Sequence, residues 1–246
     1  MDASTSNGSA TVLVAHDVKV AFGGNCAVDG VSMEVGQGEV LGLIGPNGAG
    51  KTTLLNALSG LVPLTEGTVR LDGSAIGDWT PERRARLGLA RTFQDVRLYS
   101  DMTVRENIEL GALGAGERAG EARARAETLM EAFSLTALAE ELAGRLPLGT
   151  QRQVGVARAA AGACLILAMD EPAAGLNDHE VEDLLRSIRR VGELKGCGIV
   201  LVEHNMRLVM EACDRIHVLD RGRTLAIGAP AAIRQDPQVI DAYLGA

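Results

Sequence analysis

The stretch "EVLGLIGPNGAGKTTLLNALSG", residues 39–60, decides the fold. An apolar run, Val40–Ile44, reads as a strand; residues 45–52 then fit G-x-x-x-x-G-K-[ST], and a helix is expected from Lys51. Glycines at these positions let successive backbone N–H groups curl around phosphate oxygens, and the start of the helix adds partial positive charge. Lys51 can reach the β- and γ-phosphates, and the Thr52 hydroxyl can ligate Mg²⁺. With 30 glycines in 246 residues a chance match has to be weighed. The strand before the loop and the helix after it supply the context that chance does not, so the chain is read as binding a nucleotide.

Outward from this loop, the chain alternates strand-like and helix-like segments. "TVLVAHDVKVAF" (11–22) and "AVDGVSMEV" (27–35) are short alternating runs broken by glycine, which reads as antiparallel strands; "TVRLDG" (68–73) is another. A strand is expected near Leu89 to Thr92. Residues 103–141 turn helical, rich in Ala, Glu and Arg, with Leu110, Leu129 and Met130 among the apolar positions, a Gly-rich connecting loop and an expected i,i+4 pair of Glu121 with Arg125. A helix is expected from Gln151 to about Ala161. "LILAMDE" (165–171) and "GIVLVEH" (198–204) are near-continuous apolar runs, as of strands buried on both faces. Between them "HEVEDLLRSIRRVGEL" is an amphipathic helix, and "RIHVLDRGRTLAIG" (215–228) reads as a hairpin around Arg221-Gly222. Alternating strands and helices imply a parallel α/β core.

Bulk composition narrows the function classes. Hydrophobic residues make up 46% and aromatics 2%, so the core is aliphatic. A net charge of −8 argues against a nucleic-acid surface and against a polybasic membrane anchor. Cys26, Cys164, Cys197 and Cys213 have no metal or redox spacing and read as structural thiols in a reducing compartment. No apolar run reaches the roughly 20 residues of a membrane span. The opening "MDASTSNGSA" lacks the basic and apolar regions of a secretion signal and reads as a disordered tail over residues 1–10, so a cytoplasmic protein is expected.

A second group of polar residues falls at strand ends. Asp170 and Glu171 close the run "LILAMDE", where ligands of parallel sheets bind. Asp170 can hold Mg²⁺ through water, and Glu171 can polarise an attacking water. His204 ends "GIVLVEH" and can approach the γ-phosphate beside Glu171; Gln94, just past a strand, can reach both Mg²⁺ and water. A solvated acidic pair and a structural histidine are the plainer readings, and the phosphate loop upstream weighs against them.

These pieces, in this order, resemble the ATP-binding cassette (ABC) ATPase of a transporter, from about Val12 to the end. The resemblance implies a P-loop NTPase fold: an α/β, RecA-like parallel sheet core with an antiparallel β subdomain and an α-helical subdomain at about 95–161, all within one domain over 11–246. It implies ATP and Mg²⁺ as ligands. Gly45, Pro46, Asn47, Gly48, Ala49, Gly50, Lys51, Thr52 and Thr53 would form the Walker A loop, with Phe22 as the adenine-stacking aromatic or, on the plainer reading, a core residue. Gln94 matches the Q-loop, Asp170 the Walker B end, "AGLND" the D-loop and His204 the switch histidine, so Thr52, Gln94 and Asp170 would serve the metal. "FQDVRLYSDMTVREN", "DEPAAGLN" and "GAPAAIRQDPQVIDAYLGA" are similar to the ATPases of branched-chain amino acid importers, specifically the paralogue whose D-loop reads AGLN. Lipopolysaccharide-export ATPases and soluble, non-transport ABC ATPases are the alternatives; a small-molecule kinase fails to explain Glu171, His204 and the signature helix together.

In this family two ATPases face each other, each ATP lying between one subunit's phosphate loop and the other's signature loop. The resemblance therefore implies a second paralogous ATPase, membrane permease subunits received at 95–107, and indirectly a substrate-binding protein, with the chain peripheral on the inner membrane face. The signature departs from LSGGQ: Leu146, Pro147, Leu148, Gly149 and Thr150 occupy it, followed by Gln151. Pro147 offers neither hydroxyl nor N–H, whereas the N–H groups of Gly149, Thr150 and Gln151 are expected to remain available for the partner's phosphate. Asn177 likewise replaces the usual D-loop Asp. The expectation is an intact phosphate loop and Glu171 beside a signature that serves a slower partner site.

Overall fold

The structure, a computed structural model, describes residues 10–244, the side chains of Lys195 and Leu244 excepted. Two sheets are formed by the described residues. β1 (Thr11–Phe22) and β2 (Asn25–Gly36) form the expected antiparallel pair, joined by β4 (Glu66–Leu71) and β5 (Ser74–Ala75) in the order β2-β1-β4-β5. The second sheet contains β3 (Val40–Ile44), β6 (Leu89–Arg91), β7 (Ile166–Asp170), β8 (Gly198–Val202), β9 (Arg215–Asp220) and β10 (Arg223–Gly228). Its order is β10-β9-β3-β8-β7-β6, parallel except for the edge hairpin β9–β10. The hairpin turns at Arg221-Gly222, both with positive φ, as the primed two-residue turn demands. Every residue of β3, β7 and β8 is buried, which accounts for their unbroken apolar runs.

The helices are α1 (Lys51–Leu58), α2 (Pro81–Arg86), α3 (Val104–Gly114), α4 (Ala119–Ala132), α5 (Leu148–Ala160), α6 (Asp178–Lys195), α7 (Met206–Ala212), α8 (Pro230–Ile233) and α9 (Pro237–Leu244). One core packs the antiparallel sheet and α1 against one face of the parallel sheet; the other joins the opposite face to α3–α6. α3 starts at a capping box in which Thr103 and Glu106 satisfy each other's backbone donors.

Two local expectations are corrected. Arg125 pairs with Glu117 at 2.6 Å instead of with Glu121. The Glu121 carboxylate turns back to accept from the Arg118 N–H at 3.2 Å, because capping the start of α4 satisfies an otherwise orphaned donor. And α5 begins at Leu148, three residues before the expected Gln151: Pro147, with φ −56° and ψ 153°, is its N-cap, an extended position where a missing N–H costs the helix no hydrogen bond. The expected tail lies, apart from Ala10, outside the described residues.

A buried arginine fixes the end of α1 opposite the phosphate loop. Arg84, 2% exposed, donates to the carbonyls of Ala57 (2.7 Å), Leu58 (2.6 Å), Gly77 (2.7 Å) and Trp79 (3.1 Å). Two of these carbonyls belong to the last turn of α1, where a cation is favoured and free carbonyls are left over.

Candidate functional site

The parallel strands β3, β7 and β8 end side by side, with Leu43 and Asp170 both in register with Val202. The phosphate loop leaves β3 at this edge. Gly45, at φ 150°, lies so close to β9 that a Cβ there would sit 2.1 Å from the Leu219 carbonyl oxygen; at Gly50, φ 96°, it would sit 2.4 Å from that of Ala27. The motif's first and sixth positions thus need glycine for backbone contact on the loop's protein side as well as for phosphate approach. Lys51 is 6% exposed, and its Nζ donates to the Gly45 and Pro46 carbonyls at 2.8 and 2.9 Å. Burial lowers its pKa, opposed by the charges of Glu171 and Asp170.

The expected carboxylates, glutamine and histidine meet at this edge. Thr52 Oγ1 donates to Asp170 Oδ1 at 3.4 Å. Glu171 holds a left-handed φ of 47°, rare outside glycine and of the kind found at working sites, while its N–H donates to the Val202 carbonyl at 2.8 Å. Its Oε1 contacts His204 Nε2 at 2.6 Å and its Oε2 accepts from Gln94 Nε2 at 3.3 Å. A carboxylate between a titratable ring and an amide, beside a phosphate loop, can orient a water and take up its proton. Phe22 is 53% exposed at the end of β1, which removes the core reading and leaves its ring open.

Sequence reasoning passed over the side chains that hold these loops. Glu203, 3% exposed, accepts the N–H of Ala173 on Oε1 (2.6 Å) and those of His204 and Asn205 on Oε2 (3.0 and 3.2 Å). It ties the segment after Glu171 to the segment carrying His204. Arg152 of α5, 8% exposed, donates to the carbonyl of Gln94 and, at 3.2 Å, to that of Ala174. Its guanidinium bridges the segment of Gln94 to the loop after β7, and burial lowers its pKa against the charges of Glu203 and Asp95. A glutamate closing an apolar strand was the available signal, since charged residues are seldom fully buried without a task.

The signature-position residues lie at the start of α5. Leu148, 41% exposed, Gly149, Thr150 and Gln151 form the first turn of α5. The expected availability of their donors is corrected for two of them. Gly149 N–H donates to Glu180 Oε1 at 3.2 Å, and Gln151 N–H donates to the Pro147 carbonyl at 2.9 Å because helix geometry claims it. Glu180 Oε2 accepts from Asn177 N–H at 3.0 Å in the capping box of α6. A Cβ on Gly149 would lie 2.7 Å from Glu180 Cγ, so glycine here makes room for that carboxylate.

Comparison with known proteins agrees with this arrangement. Residues 28–174 match the family model described as ABC transporter, and residues 223–246 match the model described as branched-chain amino acid ATP-binding cassette transporter. The chain is 40% identical over 254 residues to the high-affinity branched-chain amino acid transport ATP-binding protein BraF of Pseudomonas aeruginosa, covering 96% of this chain and 99% of that one. It is likewise 40% identical over 252 residues to LivG of Escherichia coli K12, with coverage of 96% and 99%. The lipopolysaccharide export system ATP-binding protein LptB of the same strain is 33% identical over 234 residues, covering 95% and 97%. Among solved structures, the ADP conformation of MJ1267, an ATP-binding cassette of an ABC transporter, superposes with a TM-score of 0.84 at 30% identity, covering 96% of this chain and 99% of that one. Glycine loop, strand-end carboxylates and overall architecture thus converge: the chain belongs to the ABC transporter family, as one of its ATP-binding ATPase cassettes.

Proposed function

We propose that this chain powers an importer of branched-chain amino acids or related solutes, acting on the inner face of the cell membrane. The observation that carries the hydrolytic part is Glu171, held between His204 at 2.6 Å and Gln94 at 3.3 Å at the strand edge that bears Lys51. The importer part is supported by the C-terminal match over residues 223–246 and by 40% identity to BraF and LivG, against 33% to LptB. No helix among the described residues is long and apolar enough to cross a membrane, so attachment runs through permease subunits in this reading.

Gly45 to Thr53 cradle the phosphates, and Lys51 neutralises the β- and γ-oxygens. Phe22 stacks on adenine. Thr52 Oγ1, the Gln94 amide oxygen and, through water, Asp170 Oδ1 are hard oxygen donors, a set that would hold Mg²⁺. Mg²⁺ held there supplies charge neutralisation at the transferring phosphoryl group. Glu171 orients the water whose oxygen attacks the γ-phosphorus and accepts its proton as the bond to the β-phosphate oxygen breaks. His204 holds Glu171 in place, and Gln94 reports occupancy to the segment at 95–107 that faces the permease. Leu146 to Gln151 cap the ATP of a second, paralogous cassette, while a substrate-binding protein acts on the far side of the membrane.

The test is co-expression with candidate permease subunits, reconstitution and measurement of solute-stimulated ATP turnover. Stimulation by a branched-chain amino acid and its binding protein, abolished in Glu171→Gln, is the expected outcome. Turnover indifferent to these solutes overturns the importer reading. Turnover that survives Glu171→Gln overturns the assigned base.

A further inference from the structure

Asp170 has two oxygens with different partners. Oδ1 accepts from Thr52 Oγ1 at 3.4 Å, and Oδ2 accepts from Arg91 Nη2 at 3.0 Å. The Arg91 and Asp170 side chains are 8% and 10% exposed, so this is a buried pair. Arg91 ends β6, and its other arm reaches α1: Nη1 donates to Asn56 Oδ1 at 2.6 Å and to Ser59 Oγ at 3.5 Å. One guanidinium therefore joins the helix after the phosphate loop to the strand that carries the metal-side carboxylate.

We propose that Arg91 is a positioning residue for the metal site: by holding Asp170 Oδ2 from the protein side, it turns Oδ1 toward Thr52 and fixes the distance between the two oxygen donors that Mg²⁺ needs. The inference rests on the reading of Asp170 and Thr52 as the metal-side pair. The geometry explains why an arginine stands in a strand otherwise made of Leu and Ala. A planar fork holds a carboxylate in one orientation while its second arm is anchored elsewhere, which the single ammonium of lysine cannot do. Mg²⁺ demands near-ideal octahedral geometry, so a carboxylate free to swing would hold the ion's water less well than one fixed at its far oxygen. Outer partners of ligating groups are typically worth roughly 10–100-fold in metal affinity.

The experiment separates nucleotide affinity from metal affinity. A fluorescent ATP analogue is titrated into the full-length chain in EDTA and again in excess Mg²⁺; the ratio of the two dissociation constants reads the metal's contribution at the site. In Arg91→Lys, which keeps the charge and gives up the fork, affinity in EDTA stays within about twofold while the ratio falls roughly tenfold or more. Asn56→Ala, which removes the second anchor and leaves the Asp170 pair intact, lowers the ratio by a smaller factor and serves if Arg91→Lys does not fold. Asp170→Asn is the control for the site itself. If Asp170→Asn lowers the ratio and neither of the other variants does, the role of Arg91 is overturned. A parallel loss in EDTA and in Mg²⁺ also overturns it, since that marks a general structural defect. If Asp170→Asn leaves the ratio intact, the metal-side reading fails, and this inference with it.

Discussion

Glu203→Gln tests whether the loops bearing Glu171 and His204 are held by one buried carboxylate. Its oxygens accept three backbone N–H groups, from Ala173, His204 and Asn205, at 2.6, 3.0 and 3.2 Å. Glutamine has one acceptor oxygen. Its better orientation keeps that oxygen on His204 and Asn205 and turns its NH₂ against the Ala173 N–H, donor against donor. The unsatisfied Ala173 donor costs about 1–3 kcal/mol, and removing the charge from the bonds that remain costs about 1 kcal/mol more, so a total near 2–4 kcal/mol is expected. If about half falls on the placement of His204 against Glu171, kcat drops by roughly 5–30-fold, since about 1.4 kcal/mol is tenfold in rate. None of these hydrogen bonds reaches the phosphate loop, so ATP affinity and KM stay within about twofold. Steady-state ATPase kinetics with equilibrium nucleotide binding decide the matter. A variant of lowered melting temperature and unchanged kcat refutes the reasoning, because the carboxylate would then stabilise the fold without placing the histidine.

Gly45→Ala places a methyl 2.1 Å from the Leu219 carbonyl oxygen at a φ of 150°, so it abolishes nucleotide binding or folding; a variant that binds ATP as the parent does contradicts the packing. His217, 1% exposed on β9, has its pKa lowered to about 4, first by burial and then by Arg215. The unfolded chain takes up that proton from about pH 6.5 downward while the folded chain does so only near 4, so stability present above pH 6.5 is lost as pH falls; about 2 kcal/mol goes by pH 5. Urea unfolding at pH 7.5 and 5.0 should show that much less pH dependence in His217→Gln, and equal slopes would refute it. Pro147→Ser returns a hydroxyl to the N-cap of α5, which has no side-chain cap. In the reconstituted transporter ATP turnover should rise, by up to about tenfold for a bond of roughly 1.5 kcal/mol; unchanged turnover shows that the missing hydroxyl is not limiting.

What could be read from the sequence divides by distance along the chain. The phosphate loop was legible because strand, loop and helix are contiguous, with spacing that follows from backbone geometry. Strands β3, β7 and β8 were legible because burial on both faces leaves an unbroken apolar run. Gln94, Glu171 and His204 came from matching motifs, and the structure brings them into contact. Arg91, Glu203, Arg152 and Glu180 were not legible as a support, because their partners lie 79, 30, 58 and 31 residues away. No periodicity encodes such pairings; only the strand order brings them together. The start of α5 lies three residues ahead of its expected place because a proline there reads equally as the residue before a helix and as its cap. The pairing of Arg125 failed because Glu121 had a backbone donor to satisfy nearer at hand.

Lys51 already holds two carbonyl oxygens of its own loop, those of Gly45 and Pro46. A phosphate that engages this ammonium therefore exchanges partners with it instead of meeting an idle donor. The loop is in this sense its own solvent, and the net gain comes from the charge of the newcomer rather than from the number of bonds formed. Discrimination follows from that exchange: a neutral mimic offers Lys51 little more than a carbonyl does, and an anion draws it away the more strongly the more charge it brings. Calorimetry of nucleotide binding would then register modest heat for the lysine contact and strong dependence on ionic strength.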